Sequence, residues 1–366
     1  EVVELLNTEQ LSFFTDTQFS ALTTDEIFSL TEDQIISLAT SQVSSLTTQQ
    51  ISGLSTEQVS RLTTDQIVGL ITDQVSSLST EQFQGLNTSQ VASLETDDLV
   101  SLSTSQIATF VAVDDDELNQ VKALTTSQLV ALTTNQVAVM TTDQVVALKT
   151  DQISFFETED IASLTTSQIV RLIANDDDGK NQINSLSTSQ LASLTTHQIS
   201  NFTTEQIFAI SADRVSAIET NDLQVLSCSQ LTALTTEHLF SFTTEQISEL
   251  TTYQIVNLTT EQVQGITTSQ ITALRTDDLQ ALKTEQLVSL TTEQISNFQN
   301  DNNISQITYL TTSQFQNLTT EQLFGLTTEQ IVTLETNDLQ SLTFSQFSSL
   351  GTDQLNKLLT NQIENL

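Results

Sequence analysis

A period of eight residues governs the whole chain. Leu258-Thr259-Thr260-Glu261-Gln262-Val263-Gln264-Gly265, or a close relative of it, recurs from Leu6 to the C-terminus and is interrupted by three short insertions. With the octad numbered 1 to 8, position 1 is Leu, Phe, Ile or Met, and position 6 is Ile, Val, Leu or Phe. A continuous α-helix would rotate this pattern by about 80° per octad, so no single apolar stripe would face a partner, which excludes a coiled coil. A continuous strand would point positions 1 and 6 to opposite faces.

The octad does read as the start of a short helix. Thr at position 2 followed by Gln at position 5, as in Thr259 and Gln262, makes a capping box. Positions 1 and 6 then sit at N′ and N4, the geometry of a hydrophobic staple. Asp, Glu or Ser at position 4 suits the positive end of a helix. Thr at position 3 is even more regular than Thr at position 2, so a cap one residue later is the other register. The expected fold class is all-α: an α-solenoid of very short helices, one per eight-residue repeat. It would form one continuous solenoid over residues 1–366, with insertions near 110–123, 172–185 and 298–309. A β-solenoid is the alternative, since Thr, Ile and Val favour strands. Its corners would want turn residues, and the chain has only 7 Gly and no Pro. A lone octad cannot fold, so each unit must be stabilised by its neighbours.

Charge limits the partners. With 46 acidic and 9 basic residues the net charge is −37, which argues against nucleic acid and against an anionic membrane surface. No apolar run approaches the roughly 18 residues of a membrane span, and no signal peptide is visible. The chain enters the pattern without a polar cap and stops on the first residue of another octad. Both features fit a piece of a longer protein, or copies that pack end to end. The single cysteine, Cys228, takes a position usually held by Thr and reads as a small buried substitute. His197 and His238 have no Cys or His partner at metal-ligand spacing and read as surface variants of the repeat. No phosphate loop or nucleophile arrangement is present, and an enzyme is not expected.

A longer period lies beneath the octads. Those beginning at Leu94, Phe156, Ile218, Leu274 and Leu334 carry a charge at position 2 (Glu95, Glu157, Glu219, Arg275, Glu335) and Asp at position 5. Once the insertions of six, six and four residues are removed, they recur every 56 residues, or seven octads. Duplication of a seven-octad block explains this. So does a solenoid that returns to an equivalent environment every seven octads, with the position-2 charges paired along the stack.

The insertions are the candidate sites. Asp114, Asp115, Asp116 and Glu117 lie in the first, and Asp176, Asp177 and Asp178 in the second. The third carries Asn300-Asp301-Asn302-Asn303. Clustered carboxylates are the ligands that Ca²⁺ takes, so Ca²⁺ is the one cofactor the sequence suggests. An EF-hand loop is not matched: with Gly179 as its sixth residue, Ala174 and Ser185 would fill the first and twelfth places. The bland alternative is a solvated acidic bulge. Stacked Thr rows would offer a further possibility, an ice- or mineral-binding array.

Leu-Thr-Thr-Xaa-Gln-Ile-Xaa-Xaa-Leu at Leu326–Leu334, and the same run closing on Phe at Leu290–Phe298, resembles repeat tracts of very large bacterial surface proteins described as adhesin-like. The resemblance covers nearly the whole chain. It implies an extracellular or cell-surface structural element, adhesive or stalk-forming, whose partners are further copies of itself in fibres or other surface proteins. The acidic insertions depart from that pattern, and no haem-ligand arrangement accompanies it. An intracellular protein-binding scaffold is the rival reading.

Overall fold

A computed structural model describes residues 3–175, 179–299 and 305–364 of the chain. They fold into forty α-helices of four to six residues and four short 3-10 helices, and no strand forms among them. The β-solenoid alternative is therefore overturned, and the all-α reading stands. The physical reason lies at the corners. In the octad Leu258–Gly265 the helix spans Thr260–Gly265, Thr259 is its N-cap at φ −71°, ψ 161°, and the next residue, Ile266, is extended at φ −66°, ψ 132°. Two residues with ordinary extended backbone turn the chain, so neither Gly nor Pro is needed. Only Gly179 adopts a positive φ among the described glycines.

The N-cap falls at position 2, which settles the register. The Thr259 hydroxyl accepts the Gln262 N–H at 3.1 Å, and the Gln262 side-chain oxygen accepts the Thr259 N–H at 2.9 Å. Where position 2 cannot accept, the second half persists: Ala39 and Ile71 still donate their N–H groups to Gln42 and Gln74 at 2.9 and 2.8 Å. The staple residues at positions 1 and 6, such as Leu258 and Val263, are buried in most octads, with the exceptions mainly near the two ends of the chain, where Leu355 and Ile363 are exposed.

The chain divides into two compact units, Glu1–Ser193 and Leu194–Leu366. Within each, a helix packs mainly on the one three octads earlier. The glutamine at position 5 sews these successive turns together. In the first unit Gln82 Nε2 donates to the carbonyls of Ile51 (3.0 Å) and Leu54 (2.7 Å). In the second, Gln262 does the same to Leu231 (2.9 Å) and Leu234 (2.7 Å). The partners lie 31 and 28 residues back, at positions 6 and 1 of earlier octads. The seam is tight. A Cβ on Gly53, Gly69 or Gly85 would fall 2.2, 2.1 or 2.3 Å from the methyl of Thr24, Thr40 or Thr56 in the turn before.

Candidate functional site

The insertions enter between positions 2 and 5 and leave the seam undisturbed. In the first, Val111 donates its N–H to Gln120 Oε1 at 2.8 Å across nine residues, where three is normal. Gln120 Nε2 still reaches Phe83 and Leu86, now 37 and 34 residues back. The second behaves alike: Ile173 N–H bonds Gln182 Oε1, and Gln182 reaches Val145 and Leu148 at the same lengthened offsets. The third is less well sealed. Gln306 Nε2 reaches the Leu274 carbonyl at 3.0 Å. The Gln299 N–H instead bonds Asn297 O, and Gln306 Oε1, though buried, has no partner among the described residues.

The acidic residues of the first insertion are exposed and already engaged in part. Asp115 accepts the Glu117 N–H at 3.0 Å, and Asp116 is paired with Lys122 at 2.5 Å. The hydrogen bond and charge of that ammonium hold the Asp116 carboxyl below the usual range. The Glu117 carbonyl receives the Thr88 hydroxyl at 3.3 Å, and buried Asn119 caps the next helix through the Lys122 N–H at 2.9 Å. Asp114 is exposed. No group of three or more His, Cys, Asp or Glu residues is disposed to hold a metal among the described residues. Asp176, Asp177 and Asp178 lie outside the described residues, as do Asn300, Asp301, Asn302 and Asn303.

Carboxylates at position 4 serve the helix starts. Glu81, Glu159, Glu261 and Glu329 each accept their own backbone N–H and the hydroxyl of the preceding Thr, and these bonds lower their pKa values. These four carboxylates lie exposed at the surface.

Two positions, His238 and Cys228, differ from the sequence reading. His238 is not a surface variant: it is 4% exposed and stands in the glutamine slot. Its Nδ1 accepts the Thr235 N–H at 2.8 Å, which assigns the proton to Nε2, and Nε2 then donates to Ile210 O at 2.7 Å. A neutral imidazole thus copies an amide, one acceptor and one donor, beneath the edge of Phe208. His197 is exposed, as expected. Cys228 is half-buried beside Tyr253, whose phenol it pushes above its ordinary pKa.

The position-2 charges do not pair along the stack. Of these five residues only Arg275 enters an ion pair among the described residues, and its partner is Asp278 of its own octad, at 3.0 Å. The residues of consequence in these octads are the position-5 aspartates. Asp98, Asp160, Asp222, Asp278 and Asp338 are at most 5% exposed. Asp278 and Asp338 accept hydroxyls from Thr252 and Thr312, 26 residues back, at 2.7 and 2.9 Å. Thr72, Thr134 and Thr196 serve Asp98, Asp160 and Asp222. At Asp278 the lost amide is replaced by arginine, whose Nη2 donates to the Leu250 carbonyl at 2.7 Å. Position 5 carried this information, because Asp and His there occupy the slot of a residue with both donor and acceptor.

The model of the ALTTAQ repeat matches the chain three times, at residues 35–72, 117–150 and 215–252. The second stretch contains Ala131-Leu132-Thr133-Thr134-Asn135-Gln136, which differs from that repeat's namesake at one residue. None of the curated proteins compared with the chain matches it. The chain is thus a helical repeat protein similar to the ALTTAQ repeat.

Proposed function

We propose that the chain is a non-catalytic structural or adhesive repeat element of the cell exterior, serving as a stalk or as a subunit of a filament. The observation that carries this reading is the division of labour within the octad. Position 5 directs its hydrogen bonds inward to the seam, positions 1 and 6 form the core, and position 4 presents a polar side chain outward, a carboxylate in about half of the octads. The product is a regular scaffold with a strongly acidic surface. Such a surface resists nonspecific association and suits a protein whose partners are further copies of itself or other surface proteins. The likeness to adhesin-like repeat tracts supports the extracellular placement.

Ice or mineral binding by Thr rows has less support. Position-2 hydroxyls act as cap acceptors, and position-3 methyls such as those of Thr24, Thr40 and Thr56 face the seam.

Immunogold electron microscopy on intact cells that make the chain, with an antibody to the repeat, tests the proposal. Gold on surface fibres is the expected result. Gold seen only after lysis overturns it and favours an intracellular scaffold.

A further inference from the structure

Most octads place glutamine at position 5 of the seam, and the charged octads place aspartate there. An amide at position 5 gives two N–H donors to the turn before it. An ionised aspartate gives none. At Asp278 the arginine makes up the loss. At Asp98, Asp160, Asp222 and Asp338 position 2 is Glu, which cannot. The carbonyls that an amide would reach there, 28 residues back, belong to Leu70, Leu132, Leu194 and Leu310, and they receive no side-chain donor among the described residues. Asp98 Oδ2 is itself buried without a partner.

Among the described residues, no lysine or arginine lies on the helices packed against these four carboxyls. Their own octads add Glu95 and Asp97, Glu157 and Glu159, Glu219, and Glu335. The helices packed against them add Asp73, beside Asp98; His197, Glu245 and Glu249, near Asp222; and Glu364, near Asp338. Each site is a buried acid with one Thr hydroxyl as its only side-chain donor among the described residues.

We propose that these four octads are acid-responsive joints: at neutral pH each carboxylate leaves the seam short of a donor, and protonation supplies an O–H that faces the carbonyls of the preceding turn and draws the two turns together. One proton is taken up per joint, and no other bond changes. Asp98 and Asp160 lie in the first unit and Asp222 and Asp338 in the second, so each unit carries two joints.

The direction follows from the environment. Burial, the largest influence, raises the pKa of Asp98, Asp160, Asp222 and Asp338, and the Thr hydroxyls only partly offset it. For a carboxyl raised in the folded state, the stabilisation is fully present below the unfolded value of about 3.9. It is lost as pH rises through the folded value. Lowering the pH from 7 toward 4 therefore strengthens the joints.

The test compares the full chain with its D98Q/D160Q/D222Q/D338Q variant, which places at each joint the residue that neighbouring octads carry. Melting temperatures are measured from pH 4 to pH 7 at fixed ionic strength. The remaining acidic residues titrate alike in both proteins, so the difference isolates the four. The variant is expected to melt higher than the parent at pH 7, and the two curves are expected to converge on acidification. The difference in slope should amount to up to about four protons per chain. Parallel curves, or a variant less stable at pH 7, overturn the proposal. If the quadruple variant fails to fold, D98Q alone decides. Amide hydrogen exchange at residues 70–75 should then slow on acidification in the parent and be insensitive to pH, beyond the intrinsic chemistry, in the variant. The same residual pH dependence in both would overturn it.

Discussion

Replacing Gln262 with leucine is the most direct probe of the seam. Leucine has similar bulk but no polar atoms, so the substitution removes the hydrogen bonds and leaves no large cavity. The Thr259 N–H loses its acceptor, and the Leu234 carbonyl loses its donor. The Leu231 carbonyl is spared, because it also accepts the Leu234 N–H at 3.2 Å. Two orphaned buried groups at about 1–3 kcal/mol each cost about 2–6 kcal/mol. The added apolar burial offsets about 1 kcal/mol of that. Thr259→Ala is the matched control: it removes only the cap hydroxyl, at a cost of about 1 kcal/mol. Because repeat arrays need not unfold in one step, the measurement should be local: amide hydrogen exchange over residues 231–234 and 259–265. Gln262→Leu is expected to speed exchange there at least about tenfold more than Thr259→Ala, a difference of about 1.4 kcal/mol in opening free energy. Equal acceleration by the two variants would show that the glutamine acts only as a local cap and that the seam does not depend on it.

Other substitutions probe the exceptions. Arg275→Thr alone strands buried Asp278 and the Leu250 carbonyl and should cost about 2 kcal/mol in urea unfolding, below the range for a fully buried pair because the guanidinium is half exposed. Arg275→Thr with Asp278→Gln rebuilds an ordinary octad and should restore the parent stability or exceed it. His238→Gln supplies a second donor to the turn before it and should stabilise by about 1 kcal/mol, read as a higher melting temperature. Adding millimolar Ca²⁺ should leave the melting temperature of the chain unchanged, since Asp116 is already paired with Lys122 and Asp115 with a backbone N–H. A rise of several degrees would assign a cation site to the acidic insertions.

The local structure was legible in the octad because its determinants lie within eight residues. The cap, the box and the staple need only Leu258, Thr259, Gln262 and Val263, and all four occur in one repeat. The seam was not legible, because the carbonyls that Gln262 serves at Leu231 and Leu234 belong to octads 28 and more residues away. A fully satisfied local role for the glutamine hid its second one. The seven-octad period was visible, but its cause was sought at Glu95 and Arg275, where the unusual charges are obvious. The consequential change was Gln to Asp at position 5, whose burial only the packing of turns reveals. His238 escaped for the same reason: one imidazole gives no sign in sequence that it stands in for an amide.

The placement of the insertions has a wider consequence. Gln120 and Gln182 keep their seam partners although six residues have been added ahead of them, and Gln306 keeps one of its own with four. Register is therefore counted in octads and not in residues, and the stretch between positions 2 and 5 works as a socket. A foreign peptide loop grafted there would be displayed at the surface while the repeats on either side stay in step. Forty-odd sockets per chain would make such a protein an addressable display scaffold, each address one octad from the next.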